Sequence, residues 1–381
     1  MKYLVQLSRI LVGALFIFSG WVKLNDPMGF GFKLEEYFSE GVLNMPIFSP
    51  WAVELAVIIC ISEILLGVFL LLGLWKRFTS WALLVMIVFF TFLTWYSWYY
   101  DKVTDCGCFG DAIPLETFES FVKDLILSGL ILIIFFGKKF IQPIVSKKVA
   151  LGFSGVVLLV CFWITSHVLN HLPMVDFRAY KIGTDIEEGM KTAEELGLQG
   201  PVYQTMFTLK NANTGEVIQV DDKQYIDDGW WEKPEWELQS DLTESKLLQK
   251  GYEPPIHDYS QESDTGDITH WILEQPKVVM VLAYELERAD PEGLEAIGEW
   301  SWTMEGSDIV VLGWTSSVYE TIEAAKHEHQ IGIDFTVGDG TAIKTVVRSN
   351  PGIIALQNGV IVGKWHWNDL PSRDELEALF Q

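Results

Sequence analysis

Five apolar runs, each near the length of a bilayer crossing, constrain this chain more than any other feature. They cover residues 3–22, 51–75, 78–100, 118–136 and 149–165, against the roughly 20 apolar residues that span a hydrocarbon core. The first follows Lys2, yet no small-x-small cleavage pattern comes before Trp21 and Lys23, so a retained helix is expected rather than a signal peptide. Residues 1–165 are therefore predicted to form an α-helical membrane bundle of about five transmembrane helices, in contact with the lipid bilayer. Lys76 and Arg77 in one short loop, and Lys138, Lys139, Lys147 and Lys148 in another, place those loops in the cytoplasm. The N-terminus is then cytoplasmic too. Residues 23–50, 101–117 and all that follow the fifth run are expected on the opposite side.

Charge divides the chain at the same place. Lys+Arg number 27 and Asp+Glu 51, a formal net charge of -24. Residues 1–165 hold 12 of each, so residues 166–381 hold the other 15 and 39 and carry the whole 15 − 39 = -24. An acidic surface of this kind repels phosphate backbones and argues against nucleic acid as a partner. Four cysteines in 381 residues do not make a disulfide-built scaffold.

Charges inside apolar runs need partners. The first run holds Arg9 near its start and Lys23 just past its end; the second holds Glu54 and Glu63. Antiparallel packing of the two runs predicts intramembrane charge pairs, Lys23 with Glu54 and Arg9 with Glu63, which either brace the bundle or form a proton or ligand path. The chemistry-bearing candidates are Cys106 and Cys108, one glycine apart in the loop after the third run. A disulfide closed over so short a ring departs from relaxed geometry and is expected to reduce readily. Asp105 and Asp111 beside it disfavour thiolates. An exchanging dithiol, a static bridge and half a metal site all remain open for the pair. Cys60 and Cys161 lie within apolar runs and read as packing residues.

The segment Arg9-x-x-x-Gly13-x-x-Phe16-x-x-Ser19-Gly20-x-x-Lys23-Leu24, with Asp26-Pro27 and Tyr37-Phe38 after it, resembles the opening of DoxX-type membrane proteins. Cys106-Gly107-Cys108-Phe109-Gly110 resembles the corresponding loop of the related MauE proteins. That resemblance implies a multi-pass protein of a bacterial inner membrane, linked to disulfide maturation of an extracytoplasmic protein partner, with Cys106 and Cys108 as the redox pair and a periplasmic C-terminal part.

Residues 166–250 read as a linker and a small β-rich region, in which residues 203–209 and 216–220 form a hairpin. A helical stretch is expected over residues 186–196. From residue 251 to 381 the pattern is α/β. Strands are predicted over 277–284, 308–314, 353–357 and 360–365, with Asn358-Gly359 as a hairpin turn between the last two. Helices are predicted over 291–304, 318–327 and 372–380. Ser349-Asn350-Pro351 and the two strands after it resemble the proline-strand-turn-strand element of the thioredoxin fold, with Pro351 at the usual cis-proline position. The resemblance implies a thioredoxin-like domain whose partner groove is formed by Pro351, Asn350 and Tyr284. Where that family carries Cys-x-x-Cys this chain reads Glu285-Leu-Glu-Arg-Ala-Asp-Pro-Glu292, and no cysteine follows Cys161. The domain has no thiol of its own.

No phosphate loop, nucleophile elbow or zinc helix is present, and no cofactor or metal is expected. Two functions are consistent with these residues. One is thiol-disulfide chemistry at the Cys106-Gly107-Cys108 loop serving an extracytoplasmic protein partner. The other is a non-catalytic, membrane-anchored envelope protein whose acidic outer domain binds a protein or glycan.

Overall fold

The computed structural model of the chain describes residues 1–381 except Thr104, Asp105, Cys106 and Cys108, and except the side chains of Asp241, Glu244 and Lys246. Its N-terminal part is helical: α1 (Lys2–Asn25), α2 (Pro27–Phe38), α3 (Ala52–Leu72), α4 (Lys76–Tyr100), α5 (Thr117–Phe136) and α6 (Lys147–Asn170). Among the described residues, four stretches are long and apolar enough to cross a membrane: Lys2–Asn25, Pro46–Leu72, Lys76–Tyr100 and Lys147–Asn170. The fifth expected span, α5, does not qualify. Glu119, Lys123 and Asp124 charge its first half, yet its C-terminal end reaches the start of α1, where a Cβ on Gly137 would meet Val5 and Gln6 donates to the Phe140 carbonyl at 2.9 Å.

Small residues set the closest helix contact. A Cβ on Gly67 would lie 2.7 Å from the Gly13 carbonyl oxygen, and one on Gly20 would lie 2.8 Å from that of Cys60. With glycine at these positions α1 and α3 approach backbone to backbone. Val5, Val12 and Phe16 of α1 then share a core with Leu66 and Leu70 of α3 and with Ile131 and Ile134 of α5. The loop after α1 contains a helix of its own, α2. Asp26 caps it by accepting from the Gly29 N–H at 2.9 Å, and Pro27 takes the first helical position, where a missing N–H costs nothing.

Two compact units make up the chain: Met1–Thr184 with Ser260–Gln381, and Asp185–Tyr259. The second unit contains α7 (Ile186–Met190), β1 (Val202–Asn211), β2 (Val217–Asp221), α8 (Asp222–Asp227), β3 (Trp236–Leu238) and β4 (Glu244–Gln249). Strand β1 pairs antiparallel with β2, β3 and β4. The expected hairpin forms, and the expected helix over 186–196 ends at Met190.

The C-terminal part of the first unit runs β5 (Glu262–Ser263), β6 (Gly266–Asp267), α9 (Thr269–Glu274), β7 (Val278–Ala283), α10 (Pro291–Thr303), β8 (Val310–Thr315), α11 (Tyr319–Glu328), β9 (Phe335–Val337), α12 (Gly340–Val346), β10 (Gly352–Gln357), β11 (Val360–His366) and α13 (Arg373–Leu379). The sheet order is β11-β10-β7-β8-β9-β5-β6. Strands β7, β8 and β9 are parallel, and β10 is antiparallel to both β7 and β11. Every residue of β7 is buried, as expected of a central strand covered on both faces. Val279, Val281, Ile353 and Ala355 pack on Leu294, Ile297 and Trp300 of α10 and on Leu376 of α13. The Asn350–Pro351 peptide is cis.

Candidate functional site

The C-terminal end of α1 and the middle of α3 bring a buried ion pair together. Lys23 Nζ lies 2.6 Å from Glu63 Oε1, and Ser19 donates to the second oxygen of the same carboxylate at 3.2 Å. Rings of Phe30 and Phe90 flank the ammonium at 5.0 and 4.8 Å. Gly20 accounts for the pairing, since its missing side chain lets Lys23, one turn on, reach Glu63. Glu54 is not part of it and lies exposed in the first turn of α3, where an acid suits a helix N-terminus. Arg9 does not meet Glu63. It donates to the carbonyls of Leu70, Leu71 and Gln142 at 2.8, 2.6 and 3.0 Å and so closes the C-terminal end of α3. The expected pairs are thus replaced by one pair and one helix cap. In a further pair, Lys123–Asp124 at 3.2 Å, Asp124 also accepts from the Thr94 hydroxyl at 3.1 Å, and Lys123 lies over the Phe109 ring at 4.8 Å.

Above this pair lies a second polar cluster, built by α2, the segment after residue 108, the chain after α6, and the sheet. Arg348, just past α12, is the centre. Its Nε lies 2.8 Å from Asp26 Oδ2, its Nη2 lies 3.3 Å from Asp111 Oδ2, and its Nη1 donates to the Lys344 carbonyl. Asp26 therefore serves α2 with one oxygen and Arg348 with the other. Burial pushes the Asp26 carboxyl up, but Arg348 and Arg178 outweigh it and hold the group below its ordinary value. Burial likewise opposes the Arg348 charge, and Asp26 and Asp111 more than restore it. Behind them Asp176 takes both Arg178 Nε at 2.7 Å and Lys364 Nζ at 2.6 Å. Burial works against its charge, and these two cations still bring it down to about 2. Burial and the Arg178 charge pull Lys364 to about 7.

Cys106 and Cys108 lie outside the described residues; the residues after and between them are described. Gly107 has a left-handed φ of 64°, a conformation glycine adopts without cost, and a Cβ there would lie 3.4 Å from Lys33 Cγ. Gly107, Gly110 and Asp111 line one cavity of ≈ 60 Å³ with Lys23, Asp26 and Arg348. Phe109 lines the neighbouring one, which Lys23 also borders together with Glu63 and Asp124. Both charge clusters thus abut the loop that carries the cysteines.

Of the residues expected to form a partner groove, Tyr284 is buried with its ring edge-on to Phe32 of α2 at 5.7 Å. Lys344 sits over both rings, 5.2 Å from Phe32 and 5.0 Å from Tyr284. Arg288 reaches Glu35 at 3.1 Å. Asn350 donates to the Glu285 carbonyl at 3.0 Å, and Pro351 packs near Gly293 and Trp367. Helix α2 of the same chain occupies the Tyr284 end of this groove. Among the described residues no group of three or more His, Cys, Asp or Glu side chains is arranged to hold a metal ion.

Residues 1–137 match the family model of methylamine utilisation protein MauE. The match covers α1 to α5, and with them Lys23, Asp26, Glu63, Asp111 and both cysteines of the loop. A comparison with curated proteins gives no match. The MauE-like region and the four apolar stretches are those of a multi-pass membrane protein. Asp176, Arg178, Arg348 and Lys364 lie outside the MauE-like region, the first two in the chain after α6 and the last two in the C-terminal part. Sequence reading missed Arg348 altogether; a lone arginine after a short helix carries no signal. Asp26 did carry one, because Asp-Pro is a helix cap followed by a first-turn proline.

Proposed function

We propose that this chain is an inner-membrane protein of the bacterial envelope that matures an extracytoplasmic protein partner by thiol-disulfide exchange at Cys106-Gly107-Cys108. The observation that carries this reading is the convergence on one loop. Two charge clusters, drawn from α1, α2, α3, α5 and the sheet, border cavities lined by Gly107 and Phe109. The other two cysteines, Cys60 and Cys161, are free thiols buried in α3 and α6, which leaves the loop pair as the exchanging candidates. The basic loops at 76–77 and 138–148 support a cytoplasmic N-terminus, with the cysteine loop and the sheet on the oxidising side. Strand order β11-β10-β7-β8-β9 supports a thioredoxin-like module without thiols of its own. In the exchange, one pair of thiols closes to a disulfide as the partner's disulfide opens, moving two electrons and two protons.

The test is thiol trapping in intact cells with an alkylating mass tag, together with Cys106→Ser/Cys108→Ser in a null strain. A mixed or growth-dependent oxidation state and loss of complementation are expected. Full complementation by the double variant would overturn the thiol reading. It would favour an envelope protein that binds its partner through the unit Asp185–Tyr259, whose 6 Lys+Arg against 17 Asp+Glu give 6 − 17 = -11.

A further inference from the structure

We infer that an extended, lysine- or arginine-bearing segment of the extracytoplasmic protein partner docks on the open edge of β9, in the groove between α11 and the β5–β6 hairpin. The inference rests on the reading that this chain serves such a partner, and it names the surface that holds it. The groove expected at Tyr284 is taken at that end by Phe32 of α2.

Strand β9 has three residues, and its ladders leave part of it uncovered. The Gly313 N–H donates to the Asp334 carbonyl and the Gly338 N–H to the Thr315 carbonyl, so residues 334, 336 and 338 turn their backbone groups to β8. Phe335 and Val337 then turn theirs the other way, because these groups alternate along a strand. Strand β5 meets β9 only at the Glu262–Val337 pair, and its own ladder with β6 is two residues long. Among the described residues no strand lies across from Phe335. Its N–H and C=O are offered at a sheet edge, the place where an extended peptide adds a strand.

Beside this edge runs a groove of ≈ 600 Å³. Ile322 of α11 and Phe335 line it from the face of the sheet that packs on α10. Leu312 lines it from the opposite face, since it stands one residue before Gly313, against which the Phe335 ring lies. A pleated peptide sends its side chains alternately to two faces, and both faces are open to it here. The rim is acidic. Glu262, Asp264, Glu323 and Asp334 stand against Lys326 alone, 1 − 4 = -3. Lys326 answers Asp334 at 2.9 Å and Glu323 at 3.7 Å, and no ion pair among the described residues involves Glu262 or Asp264. That balance favours a cationic segment and repels an acidic one.

The experiment uses the full-length chain in a neutral maltoside detergent and reads fluorescence anisotropy of three labelled peptides, with empty micelles as the blank. One alternates lysine and valine, one alternates glutamate and valine, and the third is the lysine peptide N-methylated at alternate residues. The lysine peptide is expected to bind, and added salt to weaken it. Glu323→Gln/Asp334→Asn, two exposed changes that spare the core, should weaken it about fivefold. N-methylation keeps every charge and side chain but removes main-chain donors, and should weaken it about tenfold. Equal binding of the glutamate peptide, or no response to both the double variant and the methylation, would overturn the inference. So would self-association of the chain, read by sedimentation velocity, that the double variant abolishes, because the edge would then belong to a second copy. Complementation by Cys106→Ser/Cys108→Ser removes the thiol reading and leaves the peptide affinities as measured. The two ideas therefore fail separately.

Discussion

At the scale of single residues, Lys23 and Glu63 matter most to the bundle. Both are nearly inaccessible to solvent, at 2% and 3% exposure, and each is the reason the other can be there. Removing one leaves an uncompensated charge, which costs about 3–5 kcal/mol, whereas replacing both with apolar residues is far milder. Glu63→Gln is therefore expected to lower the thermal midpoint of the detergent-solubilised chain more than the pair Lys23→Met/Glu63→Leu does. Equal losses would show that the two groups do not depend on each other. The sequence announced that charges lay inside apolar runs but assigned the wrong partners. Spacing along one helix says which side chains share a face; it cannot say that Gly20 lowers α1 onto α3 until Lys23 meets Glu63, or that Arg9 faces bare carbonyls at the end of α3.

At the scale of elements, the same glycines define the packing. Gly20→Leu places atoms where the Cys60 carbonyl and the Glu63 Cβ now stand and is expected to destabilise the bundle by about 2–3 kcal/mol, with Gly41→Leu, which meets nothing within 4 Å, as the control. Comparable melting of the two variants would refute close contact at Gly20. Apolar helices and the strands β7, β8, β10 and β11 were legible because each is a long unbroken apolar run or carries a marked turn. Helix α2 was not read as a helix, since its polar and apolar residues mix without a long run, and its cap and proline were the available signal. Strand β9 has three residues and α12 seven, too few for periodicity to register. Of the candidate site, the cysteine loop was legible and the cationic half was not, because Asp26 and Arg348 are 322 positions apart.

At the scale of the whole molecule, several buried ionisable groups make the fold sensitive to acid. His366, 5% exposed, accepts the Asn368 N–H through Nδ1, and burial lowers its pKa to about 4. Between that value and the ordinary 6.5 the unfolded chain binds the extra proton, so stability falls as pH drops through this window, by roughly 3 kcal/mol at most. Asp176 and Asp26, both held below their ordinary values, extend the loss below about pH 4. Tryptophan-monitored melting of the full chain should therefore show a midpoint that declines from pH 6.5 to 4, and His366→Asn, whose amide oxygen can still accept from Asn368, should flatten that part. A midpoint constant over the window would refute it. The contact of α2 with the sheet has a different consequence. Arg288–Glu35 is an exposed pair of the kind worth about 1 kcal/mol or less, and a single aromatic contact adds about as much. Between separate polypeptides such contacts would dissolve at cellular dilution. Carried on one chain, these contacts and the buried Arg348–Asp26 pair meet at an effective concentration that approaches millimolar, so a single polypeptide itself holds α2 against the sheet.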